Sequence, residues 1–196
     1  MASSSTGSTP TRKNSAIDFP PASVVDDEAF LTTLANIVSL VYAEAEAGIF
    51  VEGYKRTTPS GIAELVRAGQ LAVAYDRDPA TGSRRPVGCI CVKKIDEVAG
   101  EFGMLALEAS QRGAGVGRDL VLFAEDHCRK LGLTLMRLEL LVPQLFEHAF
   151  KTRLHQWYGR MGYKMTGVGD FGKDYPQLVP LLVGPTDYKV YEKSLI

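Results

Sequence analysis

Two rhythms of apolar and polar residues alternate along this chain. The first has helical spacing. In "EAFLTTLANIVSLVYAEAE", Phe30, Leu34, Ile37, Val38 and Val41 recur every three or four positions, and Asp26 or Asp27 can cap the first turn. "TPSGIAELVRAG" predicts a second, shorter helix with Thr58 as cap, Pro59 at its first position and Gly69 past its end. A third runs over about residues 115–131, with Val116, Leu120, Ala124, Cys128 and Leu131 on one side and Gly132 as its stop. "EHAFKTRLHQWYGRM" predicts a fourth, ended at Gly162. The second rhythm is one of short apolar runs bounded by turn residues. "AIDFPPAS", "QLAVAYD", "RPVGCICVKKI", "GEFGMLAL", "LTLMRLELLV", "YKMTGVG" and "DYKVYEKSL" predict seven strands.

The second and third strands are joined by a turn rich in Asp, Pro, Gly and Ser, which predicts an antiparallel pair. A helix separates the fourth strand from the fifth, and such a crossover makes those two parallel. The fold class expected is therefore α/β (α+β): one central mixed, mostly antiparallel sheet of about seven strands with helices on both faces. The 196 residues, 45% of them hydrophobic, suit a single domain. Residues 1–15, "MASSSTGSTPTRKNS", are Ser/Thr-rich and read as a disordered tail, leaving 16–196 as the domain. The tail lacks the apolar segment of a secretory signal; a weak transit peptide is the alternative, since it carries Arg12 and Lys13 and no acid.

Charge and cysteine content narrow the function classes. A formal net charge of -1 supplies no basic field for nucleic acid. No run reaches eighteen apolar residues, so no membrane partner is expected. Cys89, Cys91 and Cys128 are an odd count without a secretory signal, which points to a reducing, cytoplasmic setting. Cys89 and Cys91 lie two apart in a strand and share a face, without the C-x-x-C spacing of a redox or metal pair. All three read as small core residues, and no metal is expected.

The stretch "ASQRGAGVGRDLV" carries the candidate chemistry. Three glycines in five residues lead directly into a helix. Such a turn offers backbone N–H groups, and the helix start adds unpaired N–H groups and a partial positive charge, so together they suit an anion such as phosphate. A P-loop would need Lys-Ser or Lys-Thr after the last glycine, and none follows. A dinucleotide fingerprint would need a third glycine where Arg118 stands, in a first βαβ unit. R-x-x-G-x-G, matched by Arg112, Gly115 and Gly117, remains, beside a plain tight turn with no ligand.

This motif, with the later "WYGRMGY" and the strand and helices between them, resembles the GNAT (Gcn5-related) acetyltransferases over roughly residues 16–195. The resemblance implies a splayed parallel strand pair that binds acetyl-CoA. It implies that Leu105, Ala106 and Leu107 offer backbone groups to the pantetheine, and that Arg112, Gly113, Ala114, Gly115, Val116 and Gly117 hold the pyrophosphate. Tyr158, four residues before Gly162, falls where the family has its general-acid tyrosine, with Trp157 beside it in the core or cleft wall. Glu101 stands at the offset at which the histone-modifying branch places a basic glutamate. Glu139 and a chain of waters are the alternatives, with an ion pair to Arg137 as the ordinary role for Glu139. Where members often carry Asn, seven residues before the tyrosine, this chain has Lys151. His148, three residues earlier, shares its helix face, and the two are candidates for contact with cofactor or substrate. His127 and His155 read as ordinary helix-surface positions. Acceptor recognition is expected in "GIFVEGYKRTT", from Tyr54 and from Arg56, which can hold a carboxylate.

The activity implied is direct transfer of an acetyl group from acetyl-CoA to a primary amine, with a small-molecule or amino-acid-like acceptor preferred. A protein or peptide acceptor is the rival within the class. A non-catalytic acetyl-CoA sensor is the rival outside it. A homodimer is left open.

Overall fold

The structure, a computed structural model, describes residues 16–78 and 80–196; the tail expected over 1–15 lies outside the described residues. Seven strands form one sheet: β1 (Ala16–Asp18), β2 (Leu71–Arg77), β3 (Arg84–Lys94), β4 (Ala99–Leu107), β5 (Leu135–Pro143), β6 (Lys164–Gly169) and β7 (Thr186–Ser194). Their spatial order is β1-β2-β3-β4-β5-β7-β6. Every neighbouring pair is antiparallel except β4 and β5, the pair joined by the crossover.

The helices are α1 (Glu28–Ala45), α2 (Pro59–Arg67), α3 (Val116–Lys130), α4 (Ala149–Arg160) and the short α5 (Phe171–Asp174). Both expected caps form. The Asp27 carboxylate accepts from the Phe30 N–H at 3.0 Å, and the Thr58 hydroxyl accepts from the Gly61 N–H at 3.2 Å. The helices cover the sheet according to its pleat. Ala72 and Ala74 of β2 face α3, where Leu120, Val121 and Ala124 are fully buried. Leu71 and Val73 face the other way, against Leu34 and Val38 of α1 and Ile62 of α2. In α1 the deepest stripe is Leu31, Leu34, Ala35, Ile37 and Val38, with Phe30 and Val41 only half-buried.

A smaller third cluster joins distant parts of the chain. Ile49 and Phe50, from the loop after α1, pack on Leu141, Phe171 and Tyr188. Phe50 also makes an isolated antiparallel bridge to Leu182. The segment between β6 and β7 holds α5 and a 3-10 stretch, Pro176–Leu181, that the apolar pattern did not foretell.

One buried charge ties α3 to the far end of the sheet. Glu125 is fully buried, and both its oxygens lie 2.8 Å from the Lys193 ammonium of β7. The Tyr163 hydroxyl donates to it at 2.8 Å, and Arg129 reaches it at 3.3 Å. A carboxylate so fully met is tolerated in a core, whereas removing one partner of a buried pair strands the other. Glu125→Ala should therefore cost about 3–5 kcal/mol of stability, read as a lower urea midpoint. An unchanged midpoint would show that Lys193 finds water at no cost.

Candidate active site

The site begins where β4 and β5 part. They pair through only three positions, Ala99↔Leu135, Gly100↔Met136 and Glu101↔Arg137. Beyond Glu101 the strands diverge, while β5 stays paired with β7 along its whole length. On its other side β4 is paired with β3 out to Gly88↔Leu107, but with a register shift between Cys89 and Cys91. Met104 sits in that irregularity at φ 44, the one non-glycine residue with positive φ among the described residues. Two residues of β4 there oppose one of β3, a β-bulge that bends β4 away from β5. The result is a V-shaped cleft of about 620 Å³, walled by α1 on one side and α4 on the other.

The glycine stretch closes one end of this cleft. Gly113 and Gly115 adopt φ 81 and 91, and a Cβ on either would meet nothing within 4 Å. Both face open space with their backbone. Gly115 is the N-cap residue of α3, and no side chain caps the helix there. The N–H groups of Val116, Gly117 and Arg118 in the first turn thus have no intrahelical acceptor. Gly117 answers a different need, because a Cβ there would lie 3.1 Å from Leu107. Arg112 lines the cleft and is paired with Glu44 of α1 at 2.7 Å. Arg118 also lines the cleft, and the buried Gln111 beneath the loop was not singled out from sequence.

Of the expected pantetheine contacts, Leu105 and Leu107 line the cleft, and Ala106 points its methyl into the core below α1. Ala114 and Val116 pack behind the loop; the Ala114 N–H donates to the Gln111 carbonyl at 3.4 Å, so of the two only Val116 has an N–H left for a ligand. Tyr158, on α4, is 6% exposed and lines the cleft, with Trp157 beside it at 5.0 Å between ring centroids. Burial raises the Tyr158 phenol well above its ordinary range, and Tyr42 and Tyr191 add to the effect. A neutral O–H is therefore what this residue presents at neutral pH.

Glu101 and Glu139 both line the cleft near the apex of the V, on the face away from α3. Glu101 is held by Lys93 at 2.8 Å. Burial raises the Glu139 carboxyl, a hydrogen bond from the Tyr188 hydroxyl opposes this, and Glu101 adds to the rise. The ion pair expected between Arg137 and Glu139 does not form. Arg137 instead binds Glu192 at 2.8 Å, directly across the β5–β7 ladder.

His148 and Lys151 part company. His148 occupies the N-cap position of α4 with extended backbone angles and turns toward Phe146, outside the main cleft. Lys151 is 4% exposed and lines the cleft. The charges that act on it are Glu46, at the C-cap of α1, and Arg56, in the loop after it. Arg56 lines the cleft, stacks over the Tyr42 ring at 5.0 Å and lies 3.7 Å from Glu46. Tyr54 does not line it; its ring stacks on Phe50 at 4.2 Å. His155 is more than a surface residue, since its Nδ1 meets the Tyr191 hydroxyl at 2.8 Å. Cys89 and Cys128 are buried, as expected, while Cys91 is half-buried; burial pushes their thiols up to about 12, 11 and 11 respectively.

An open mixed sheet with one splayed parallel pair and a phosphate-type loop at the mouth of the V defines an acyltransferase scaffold. Residues 67–165, half of the chain, match the family model described as the acetyltransferase (GNAT) domain, and the chain belongs to that family. It is an acyl-CoA-dependent N-acetyltransferase. No curated protein matches the sequence significantly. Solved structures share the fold. An aminoglycoside 6'-N-acetyltransferase complexed with coenzyme A is 17% identical, with a TM-score of 0.62 over 92% of this chain and 97% of that one. The protein yncA from Salmonella typhimurium, solved with its cofactor acetyl-CoA, is 13% identical, with a TM-score of 0.60 over 94% and 95%. The NatC complex bound to Gag peptide and CoA is 18% identical, with a TM-score of 0.59 over 92% and 99%.

Lys151 yields a prediction about stability. Burial depresses its ammonium to about 8, opposed by Glu46 and reinforced by Arg56. A lysine whose folded pKa is lowered binds its proton more weakly when folded, so the unfolded chain holds more protons between about pH 8 and about 10.4. Stability from this group rises with pH across that window and is lowest below it. Lys151→Met should therefore stabilise the fold at pH 7 by about 1–3 kcal/mol, with the gain fading toward pH 10. Thermal unfolding of both proteins at pH 7 and pH 10 checks this; equal differences at the two values would contradict it.

Proposed function

We propose that the protein moves the acetyl group of acetyl-CoA directly to a primary amine of a small-molecule acceptor. The observation that carries this reading is the combination of an unpaired β4 edge with an open helix start at its end. A strand-like pantetheine arm fits the first, and a pyrophosphate fits the second. In this reading Leu105 and Leu107, with the backbone of Ala106, flank the arm, and the N–H groups of Gly113 and of Gly115 to Gly117 take the phosphates, the Ala114 N–H being already given to the Gln111 carbonyl. Arg112 reaches the same anion only by giving up Glu44.

The chemistry then falls to groups on the two walls. Nitrogen attacks the thioester carbon, the C–N bond forms and the C–S bond breaks. Tyr158 is suited to give its phenol proton to the departing sulfur, because burial keeps that proton in place until a base appears. The proton lost by nitrogen goes to Glu101, or through water to Glu139. Its return to Tyr158 balances the step. Transfer through an acyl-cysteine is disfavoured because the three thiols are held protonated, by burial first.

Two substitutions separate cofactor binding from chemistry. Tyr158→Phe should lower kcat by about 100-fold or more while acetyl-CoA binds nearly as well, since it removes a proton donor and little volume. Turnover equal to that of the unaltered protein would take Tyr158 out of the mechanism. Gly115→Asp should abolish acetyl-CoA binding in calorimetry. It forces a side chain onto φ 91 and sets a negative charge at the helix start where the phosphates are placed. Binding retained in that variant would put the cofactor elsewhere.

A further inference from the structure

The wall opposite α4 holds a charged group that neither acetyl transfer nor phosphate binding uses. Glu46 is the C-cap residue of α1 and is 7% exposed. Its Oε1 lies 3.7 Å from Arg56, and its Oε2 is buried without any hydrogen-bond partner. Lys151 reaches into the same cleft from α4 at 4% exposure. Among the described residues it has no ion pair, and Glu46 and Arg56 act on it only through space. Two cations and one carboxylate thus face one space from two walls: Arg56 is held by Glu46, Tyr54 and the Tyr42 ring, while Lys151 has no ion pair and Glu46 keeps one oxygen unmet. A buried polar group left so is destabilising, and that cost is recovered when a ligand of matching polarity enters.

The group dictates what that ligand must offer. Arg56 and Lys151 call for an anion, and Arg56 presents a planar fork suited to a carboxylate. Oε2 of Glu46 calls for a donor next to that anion. Tyr42, which lies under Arg56, lines the same cleft as Tyr158, the residue placed at the departing sulfur. The phosphate loop has its own cations in Arg112 and Arg118.

We infer that Glu46, Arg56 and Lys151 form the subsite for the head group of a free α-amino acid. Its carboxylate lies between Arg56 and Lys151, and its amine, the acetyl acceptor, lies against Glu46. The inference rests on the acetyltransferase reading and sharpens it. A peptide N-terminus carries the amine without the neighbouring carboxylate, so this subsite disfavours it.

The test compares three forms of each amino acid in a panel of twenty: the free acid, its carboxamide and its decarboxylated amine. Release of CoA from acetyl-CoA is measured, together with calorimetric binding of each form to the CoA-loaded protein. At least one free amino acid should show kcat/KM about tenfold or more above its carboxamide. Arg56→Ala and Lys151→Met should bring that ratio toward one, and Lys151→Met should raise KM for the amino acid and not for acetyl-CoA. Glu46→Gln should weaken binding of the amino acid, in the calorimeter as well as in turnover. Carboxamides or peptides used as well as free acids would overturn the inference while leaving acetyl transfer intact. A rise in KM for acetyl-CoA in Lys151→Met would overturn it too, by returning that residue to the cofactor. Binding of free amino acids that depends on Arg56 and Lys151, with no acetylation of any amine, would uphold the subsite and sink the acetyltransferase reading.

Discussion

Everything at the site follows from the point at which β4 and β5 stop sharing hydrogen bonds. Three paired positions hold them, and then each is kept by a different neighbour, β4 by β3 and β5 by β7. Backbone groups on the two facing edges are left without protein partners, and buried backbone polar groups must be met by something. The bulge at Met104 sets the divergence in the backbone conformation of β4 itself, and the V is present without a ligand. The divergence also aims the connections. The loop after β4 runs across the mouth of the V, and α4, which follows β5, lies along its opposite wall.

The charges of the molecule sort into two kinds. Glu125 is buried and satisfied by three partners, and it joins helix to sheet. Glu46, Lys151 and Glu139 are also withdrawn from water; among the described residues only Glu46 has an ion-pair partner, Arg56 at 3.7 Å, and burial moves the pKa of all three toward the neutral form. The first kind is architecture. The second kind clusters in the cleft, where poor pairing is a cost to the fold that a ligand can offset.

Much of the fold could be read from spacing. The helices and strands follow strong periodic patterns, and the caps at Asp27 and Thr58 work through their nearest residues. The glycine loop was legible because positive φ and open space select glycine at 113 and 115. What failed depended on partners far along the chain. Arg137 and Glu139 share a face of one strand, yet Glu192 stands directly opposite Arg137 and wins. His148 and Lys151 are three apart, but His148 sits just before the first helical turn, where helical spacing no longer applies. Glu46 lies in "AEAEAG", which reads as a solvated helix end, and only the following loop folding back over it makes it buried. The segment after β6 carries prolines and no period, so nothing local announced that Phe171 and Tyr175 would wall the cleft.

The small third cluster deserves a different kind of reading. It clamps the loop after α1, through Ile49 and Phe50, to Phe171 and Tyr188. All four residues lie outside 67–165, the part of the chain that matches the family model. The matched stretch and the loops that close the far side of the cleft therefore come from different parts of the chain, and Leu141 of β5 is where the two are packed together. The shape of that enclosure is set by a clamp between two loops distant in sequence, while the glycine loop and the splayed strands take no part in it.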